Sequence, residues 1–291
     1  MTDLSIIIVN YNTAALTLQA IESIFKSKTN YDIEIIVVDN GSSEIGLSEE
    51  IARLYSQVTV VKNQSNLGFS KANNIGISRS KGKYVLLLNS DTVLQENTLN
   101  IVIDYMDVNP TVGACGCKVV LRDGSLDRAC KRGFPTPGAS AYFMLGLHKL
   151  FPQVPKFNQY QLGHLHPDQE HEVDSLVGAF MVVRREAMEQ VGLLDEQFFM
   201  YGEDIDWCYR IKEAGWKIKY YPKTSILHLK GASSKKKPFK IIYEFHRAMW
   251  LFYNKHYRNK YPIYVTGLVY FGIFLKLSSS IIVNKMKVKI W

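Results

Sequence analysis

The sequence is 291 residues long, with 47% hydrophobic and 21% charged residues and a formal net charge of +8. This composition excludes a disordered, collagen-like or coiled-coil protein and predicts a globular chain with a substantial core. The length suits one large α/β unit with an appendage.

The positive charge is concentrated toward the carboxyl end. Residues 235–291 hold twelve lysines and arginines but a single acid, Glu244, whereas residues 1–234 carry slightly more acids than bases. A body of that sign repels a phosphate backbone, so we expect no nucleic-acid partner. We therefore predict a domain over residues 1–234 and a basic helical tail over residues 235–291.

The four cysteines form no CxxC pair and no metal-ligand spacing with histidine. This pattern predicts reduced thiols rather than a disulfide scaffold or a zinc module. The amino-terminal apolar run is short and lacks a preceding basic region, so we expect a cytoplasmic protein without a signal peptide.

Strand-like and helical patterns alternate along the first hundred residues. The buried-looking runs over residues 6–9, 35–38 and 85–88 lack in/out alternation, which is typical of parallel strands covered on both faces. We therefore predict an α/β fold with a Rossmann-like, mostly parallel sheet and helices on both faces. The predicted strands are 4–9, 33–38, 58–62 and 84–89, and the predicted helices are 14–25, 51–57, 71–80 and 99–106.

The pattern loosens after residue 118. Prolines and scattered aromatic residues interrupt residues 121–172, which predicts a substrate-facing region of long connections outside the main sheet. Regular elements then resume, and a loop is predicted at residues 233–238. The later predicted strands are 173–183, 218–221 and 226–229, and the later predicted helices are 185–192 and 203–215.

Polar residues follow the three apolar strands, at the edge of the sheet where α/β proteins bind ligands. Neither a GxGxxG motif nor a P-loop motif occurs, so a nucleotide would be held by a carboxylate on its base or ribose and by an acid that coordinates a cation on its diphosphate. Asp39 and Asp91 occupy those places. The alternative for Asp39 is a purely structural role in a turn, which Asp and Asn favour regardless of function.

Five segments together resemble family 2 glycosyltransferases of GT-A fold, over about residues 4–230. The last segment is most similar to rhamnosyltransferases that use dTDP-rhamnose; a UDP-sugar donor is the alternative. The segments are IIVVDNGS at 35–42, NLGFSKANNIG at 66–76, LLLNSDT at 86–92, VGAFMVVR at 177–184 and FMYGEDIDWCYR at 199–210.

The resemblance implies a site for a nucleotide-sugar donor. It places Asp39 against the base, with Tyr11 and Asn66 forming the pocket. It also places three further residues on the donor: Lys71, Asn89 and Ser90.

The resemblance also implies a divalent cation, Mg²⁺ or Mn²⁺. Asp91 matches the last residue of the family's DxD element, but the first acid is replaced by Asn89, which leaves one carboxylate for the metal. Mg²⁺ needs only one or two protein carboxylates. His228 lies where related enzymes place a late metal-ligating histidine; the alternative is a satisfied core histidine.

An acid cluster opens the predicted helix at residue 203. By resemblance Asp204 is the general base of an inverting transfer, with Glu203 as the second candidate; the structural alternative is stabilisation by the helix dipole. Asp206 is predicted to orient its neighbours and to pair with Arg210 four residues later. Trp207 stacks on a sugar or fills the core.

The tail predicts an amphipathic helix over residues 239–256 and an apolar stretch over residues 263–283. Lys276 interrupts this stretch and basic residues flank both ends, so we favour in-plane association with the inner leaflet over a membrane crossing. Burial against a second copy in a homodimer is the alternative. Aromatic residues suited to the headgroup boundary are Tyr261, Tyr264, Tyr270 and Trp291.

Many enzymes of the family extend a glycan on a polyprenyl-diphosphate lipid at the cytoplasmic face, so the resemblance implies a saccharide or lipid-linked saccharide acceptor in cell-surface polysaccharide synthesis. The alternative from another class is a non-catalytic scaffold that binds a nucleotide sugar or a lipid.

Overall fold

A computed structural model describes residues 2–229 and 238–288. Lysines 235–237, the predicted loop up to residue 237, Lys289 and Trp291 lie outside these ranges. Within the described residues nine strands form one mixed sheet, in the order β3-β2-β1-β4-β8-β6-β9-β5, with β7 paired to β9.

The amino-terminal half of the sheet is parallel and matches the sequence prediction. β1 pairs in parallel with both β2 and β4, and β3 extends the sheet beyond β2. The isoleucines at positions 6–8 of β1 have no exposed surface, since the strand is covered on both sides. The elements of this half are β1 (Leu4–Asn10), α1 (Ala14–Lys26), β2 (Ile33–Asp39), α2 (Leu47–Leu54), β3 (Thr59–Lys62), α3 (Phe69–Ile77) and β4 (Tyr84–Asn89).

The second half of the sheet mixes directions. β8 runs antiparallel to β4 and β6, whereas β6 and β9 are parallel to each other. The short strand β5 pairs antiparallel with the end of β9, which brings the segment after β4 to the carboxyl end of β9. The elements are β5 (Thr92–Leu94), α4 (Thr98–Val108), β6 (Val112–Leu121), β7 (His171–Glu172), β8 (Phe180–Arg184) and β9 (Lys217–His228).

Three strand predictions were wrong in this half. The strand predicted at 173–183 is a strand only from Phe180, and the two predicted at 218–221 and 226–229 are one continuous strand, β9. β6 was not predicted. Its glycines weaken the strand pattern, but close packing requires them, because a Cβ on Gly113 would lie 2.7 Å from Trp216 Cβ and one on Gly116 would lie 2.8 Å from Leu176 Cδ2.

Residues 122–170 connect β6 to β7 outside the sheet, as predicted. Two short helices form here, α5 (Pro137–Met144) and α6 (Leu147–Leu150), together with 3₁₀ turns at Arg128–Cys130 and Pro155–Phe157. The side chain of Thr136 caps α5 by accepting a hydrogen bond from the Ala139 amide, with proline at the start of the helix.

Four helices complete the described chain: α7 (Arg185–Val191), α8 (Glu203–Glu213), α9 (Pro238–His256) and α10 (Ile263–Val288). α9 packs against the domain through a second apolar cluster, in which Phe198 and Tyr209 contact Phe252. α9 and α10 are joined by hydrogen bonds from the Tyr270 hydroxyl to Asn254 Oδ1 at 2.6 Å and between Tyr253 Oη and Thr266 Oγ1 at 2.9 Å.

α10 is apolar and outward-facing. Its segment Ile263–Met286 is long enough to cross a membrane and has a mean hydropathy of 1.7 over its most apolar window, of which only 6% is buried. Ile263, Leu268 and Phe274 are all more than half exposed. An exposed apolar helix of this kind indicates a contact with a membrane or with another protein.

Candidate active site

The carboxyl ends of β1, β2 and β4 lie side by side at one edge of the sheet, as the sequence predicted. In the strand register Asn10 pairs with Asp39, and Val9 pairs with Asn89. Asn10 Nδ2 donates a hydrogen bond of 3.1 Å to Asp39 Oδ1, so two of the strand ends are tied together.

Asp39 stabilises a turn, which is the structural role that the sequence analysis gave as the alternative. Its Oδ1 accepts hydrogen bonds from the Ser42 hydroxyl at 2.5 Å and from the Ser42 amide at 3.4 Å. Oδ2 accepts no hydrogen bond from the described residues. The turn therefore occupies one oxygen and leaves the second available to a ligand, so the two roles are compatible.

Asn66 lies directly against this turn. Gly41 has φ +73°, and a Cβ there would lie 2.4 Å from the carbonyl carbon of Ser65. Asn66 Oδ1 accepts hydrogen bonds from Asn40 Nδ2 at 3.2 Å and from the Gly68 amide at 2.9 Å. The loops after β2 and β3 are thus locked together, which brings Asp39 and Asn66 to one place.

The other residues predicted to bind the nucleotide sugar do not all lie at the strand ends. Tyr11 follows Asn10 and is half-buried, and Ser90 Oγ lies 3.0 Å from Thr13 Oγ1, which fixes the loop after β4 to the start of α1. Lys71, on the exposed side of α3, lies 3.7 Å from Glu196 instead of contacting the strand-end residues.

Asp91 and His228, the predicted metal ligands, come together. His228 Nε2 lies 3.2 Å from Asp91 Oδ1 and 3.5 Å from Asn89 Nδ2. Two neighbouring ligand atoms of one octahedral Mg²⁺, each about 2.1 Å from the ion, are separated by about 3 Å. The spacing of these two atoms fits a single ion. Among the described residues no cluster of three or more His, Cys, Asp or Glu side chains suits a metal, so water and the donor's phosphates would supply the other ligands.

Asp127 braces this pair and was missed by the sequence analysis. Its Oδ2 lies 3.3 Å from His228 Nδ1, and its Oδ1 accepts a hydrogen bond from the Ala129 amide. Burial disfavours the imidazolium, but Asp127 and Asp91 outweigh it and raise the pKa of His228 to about 9. A carboxylate on the second nitrogen of a histidine orients the ring toward a metal. That rule predicts some carboxylate partner, but nothing in the irregular region singles out Asp127.

Asp204 lies at the start of α8 and pairs with Arg132, a second residue that the sequence did not reveal. Arg132 Nη2 donates to Asp204 Oδ2 at 2.7 Å, and the Gly178 amide donates to the same oxygen at 3.2 Å. Among the described residues Oδ1 accepts a hydrogen bond only from the Ile205 amide, at 2.8 Å. The guanidinium fixes the position of the Asp204 side chain, and Oδ1 can accept a further hydrogen bond.

Glu203 differs from its neighbour. Its side chain is buried, and Oε2 has no hydrogen-bond partner among the described residues. Burial, together with the charge of Asp204, raises the pKa of Glu203 to about 8. Glu203 is therefore mostly protonated at neutral pH.

The other acceptor-side residues point away from these acids. Asp206 is fully buried and pairs with Arg210 at 2.9 Å, as predicted, and also with His256 at 2.7 Å. Trp207 has no exposed surface and donates from Nε1 to the Gly192 carbonyl. Because no sugar can reach a fully buried ring, the prediction of stacking is wrong and the core alternative holds.

One cavity of about 790 Å³ extends from His228 to Glu203 and Asp204, and Asp91 is not among its lining residues. His228 and Asn89 line one part of it, Glu203 and Asp204 another, and its far wall is formed by apolar residues of α5, α9 and α10. Asp39 does not line this cavity; it lies two strands from Asn89 along the same edge of the sheet, which is about 10 Å at the usual strand spacing.

Residues 2–246 match the family model described as "Glycosyltransferase like family 2". The chain belongs to glycosyltransferase family 2. The match confirms the resemblance carried by the five sequence segments, and it ends inside α9.

Two relatives of this family 2 glycosyltransferase are named rhamnosyltransferases. The N-acetylglucosaminyl-diphospho-decaprenol L-rhamnosyltransferase of Mycobacterium tuberculosis is 28% identical over 235 residues, which cover 77% of this chain and 75% of the relative. Rhamnosyltransferase WbbL of Escherichia coli K12 is 29% identical over 231 residues, which cover 77% of this chain and 82% of the relative.

Solved structures confirm the GT-A fold of this glycosyltransferase. GalNAc-T7, crystallised with UDP, GalNAc and Mn²⁺, aligns with a TM-score of 0.61 at 17% identity over 80% of this chain and 44% of its own. Residues 1–349 of S. aureus TarS align with a TM-score of 0.55 at 15% identity over 85% of this chain and 65% of that chain. At these identities the likeness establishes the fold alone.

The contact between Asp127 and His228 generates a first prediction. Replacement Asp127→Asn removes the carboxylate that orients the imidazole, so the Kd for Mn²⁺ in the presence of dTDP should rise about 10- to 100-fold. Electron paramagnetic resonance titration of free Mn²⁺ measures it. Asp123→Asn, in the exposed part of the same loop, is the matched control. An unchanged Kd in Asp127→Asn would show that Asp127 does not support the ion.

The raised pKa of Glu203 generates a second prediction, which concerns stability against pH. Between the usual glutamate value of 4.5 and about 8 the folded protein keeps a proton that the unfolded chain releases, so its free energy of unfolding falls as pH rises through this window. Glu203→Gln removes this loss. In metal-free buffer the Tm of Glu203→Gln minus the Tm of the wild type should therefore increase steadily as pH rises from 4.5 to about 8.

The control for this measurement is Glu213→Gln, at the exposed end of the same helix. Its Tm difference from the wild type should stay constant with pH. A constant difference for Glu203→Gln as well would contradict the raised pKa.

Proposed function

We propose that this chain is a metal-dependent, inverting glycosyltransferase that moves L-rhamnose from dTDP-rhamnose to a lipid-linked saccharide at the cytoplasmic face of the membrane, in cell-surface polysaccharide synthesis. The observation that carries the proposal is the shared cavity, which is lined by His228 of the Asp91–His228 pair and by both Asp204 and Arg132. The names of the two relatives support the choice of sugar. A UDP-sugar is the rival donor, since GalNAc-T7 was crystallised with UDP.

The donor site is proposed along the edge formed by β2, β1 and β4. Asp39 Oδ2 accepts no hydrogen bond from the described residues and suits the base. Asn66 contacts the same turn, and Tyr11 follows Asn10, whose side chain donates to Asp39. The diphosphate would then lie toward Asp91 and His228. A divalent cation bound there would offset the negative charge that develops on the leaving diphosphate.

Asp204 suits the role of general base. It pairs with Arg132, it lines the cavity, and Oδ1 has room for a hydrogen bond from an acceptor hydroxyl. As the bond from the anomeric carbon to the diphosphate breaks and the acceptor oxygen attacks, Asp204 takes the hydroxyl proton. Arg132 keeps the carboxylate in place throughout.

The state of the second acid supports inversion. A retaining double displacement needs an ionised carboxylate as nucleophile at the anomeric carbon, in addition to the base. Burial raises the pKa of Glu203, which makes it a poor nucleophile and leaves it as the second candidate for the base. A single displacement needs one base, for which we propose Asp204.

The lipid-linked acceptor is supported by the apolar wall of the cavity. Val265, Val269 and Ile273 of α10 line it, and other apolar residues of that helix, such as Leu268 and Phe274, are more than half exposed. The Mycobacterium tuberculosis relative is named for a diphospho-decaprenol acceptor. We propose that α10 lies in the plane of the inner leaflet, so that a lipid-borne saccharide reaches Asp204 from the membrane side. A homodimer that buries α10 would instead show as a concentration-dependent mass in the absence of lipid.

Replacement of the proposed base tests this function. Asp204→Asn keeps the shape of the side chain but removes the proton acceptor, so transfer of radiolabelled rhamnose from dTDP-rhamnose should fall about 10²- to 10⁴-fold. The variant should still bind dTDP-rhamnose with Mn²⁺, and the rise in Tm that binding causes measures this. Glu213→Gln, which changes an exposed acid of the same helix, should transfer at the wild-type rate.

Undiminished transfer by Asp204→Asn would remove Asp204 as the base. A wild-type protein whose Tm responds to UDP-sugars but not to dTDP-rhamnose would contradict the donor. A protein that binds the donor but whose biological activity survives Asp204→Asn would be a scaffold rather than an enzyme.

A further inference from the structure

A second cavity, of about 830 Å³, lies between the α5–α6 segment and α10, and we call it the basic cleft. It is separate from the strand edge where the donor is proposed to bind. Its lining contains four side chains that carry or can carry positive charge and no acid. These are Arg128, His148, Lys149 and Lys276.

The charge in the basic cleft is not balanced by the protein. Arg128 Nη1 donates to the neutral Gln161 at 3.1 Å, and Lys276 Nζ lies over the rings of Phe143 at 5.7 Å and Phe245 at 5.5 Å. Within the described chain neither side chain forms an ion pair, and neither does Lys149. Cations gathered in a concave site without acids attract an anionic ligand.

His148 provides an independent sign of a ligand. Its side chain stacks on Phe143 and is only 6% exposed, yet Nδ1 has no hydrogen-bond partner in the described part of the chain. A buried polar atom without a partner is costly, and a ligand that accepts or donates a hydrogen bond there would remove the cost.

The surroundings of the basic cleft restrict the ligand to an amphipathic one. Leu145 and Leu150, beside the cleft on the α5–α6 segment, are 72% and 70% exposed, and α10 on the other side is also apolar and exposed. Cationic side chains between two exposed apolar surfaces suit the headgroup level of a membrane. A nucleic acid would not need these apolar borders.

The basic cleft also adjoins the active-site cavity. Phe143, Met144 and Lys276 line both, so a ligand anchored in the cleft can extend toward Asp204 without leaving the protein surface. The ligand thus has three parts: an anionic group at the cleft, an apolar chain along the exposed helices, and a part that reaches the acids.

We propose that the basic cleft binds the diphosphate of the lipid-linked acceptor and thereby places its saccharide at Asp204. This inference rests on the proposed function and adds a second diphosphate site, distinct from that of the donor at Asp91 and His228. Charged hydrogen bonds from several cations suit the two phosphates of such a lipid better than the single phosphate of a phospholipid.

The test is binding of the full chain to vesicles in the presence of EDTA, so that no metal occupies the donor site. Phosphatidylcholine vesicles carry either geranylgeranyl diphosphate or phosphatidylglycerol at equal surface charge. The variant Lys149→Met/Lys276→Met keeps the apolar stems and leaves Asp127 and its neighbours untouched. The control Lys81→Met/Lys217→Met removes two exposed lysines at the opposite edge of the sheet.

The wild type should bind the diphosphate vesicles more tightly than the phosphatidylglycerol vesicles. The cleft variant should lose about tenfold or more of its affinity for the diphosphate vesicles, because it loses charge-assisted hydrogen bonds to the diphosphate. Its loss on the phosphatidylglycerol vesicles should be smaller, because only the general attraction to an anionic surface is reduced there. The control variant should bind both as the wild type does.

Wild-type affinity of the cleft variant for the diphosphate vesicles would overturn the proposal. Equal losses on both kinds of vesicle would also overturn it, because they would assign the cleft to phospholipid headgroups. A wild type whose Tm does not respond to dTDP-rhamnose with Mn²⁺ but which still discriminates the vesicles through the cleft would refute the proposed donor and support the cleft.

Discussion

The contact between Asp91 and His228 joins the two halves of the sheet at their common edge, and the proposed donor site depends on it. Asp91 follows β4, the last strand of the parallel half, and His228 ends β9; β5 pairs with β9 at this point, and the Leu229 amide donates to the Asp91 carbonyl at 2.8 Å. Both side chains are buried, and Asp127 holds the imidazole from behind. The positions of these two proposed metal ligands are thus set by backbone pairing, so little rearrangement would accompany binding of an ion.

The parallel half of the sheet could be predicted from sequence, whereas the mixed half could not. β1, β2 and β4 are continuous apolar runs that end in polar residues, a pattern that fixes both their burial and the edge at which ligands bind. β6 was not predicted from the sequence because Gly113 and Gly116, which weaken the strand pattern, make room for Trp216 and Leu176. These residues are distant in sequence. Such packing between residues distant in sequence is not visible in a local sequence pattern.

The same division holds for the candidate site. Asp91 and Asp204 lie in two of the five recognisable segments, and His228 was identified by its late position alone. Asp127 and Arg132 lie in the irregular region, where they contact His228 and Asp204. For Trp207 the sequence suggested a contact that the structure does not have. Its position beside the acids suggested contact with a sugar, but its ring is buried in the core. The basic cleft combines residues of the irregular region with α10 and has no signature in any single segment.

We propose that the donor binds along the strand edge and that a lipid-borne acceptor reaches Asp204 through the cavity lined by the apolar helices. Diffraction from crystals grown with Mn²⁺ and dTDP, collected at the manganese absorption edge, tests this arrangement most directly. The account predicts one anomalous peak about 2.1–2.2 Å from both Asp91 Oδ1 and His228 Nε2, with dTDP extending from it toward Asp39. A manganese peak that contacts neither side chain, or a nucleotide bound away from the β2–β1–β4 edge, would contradict it.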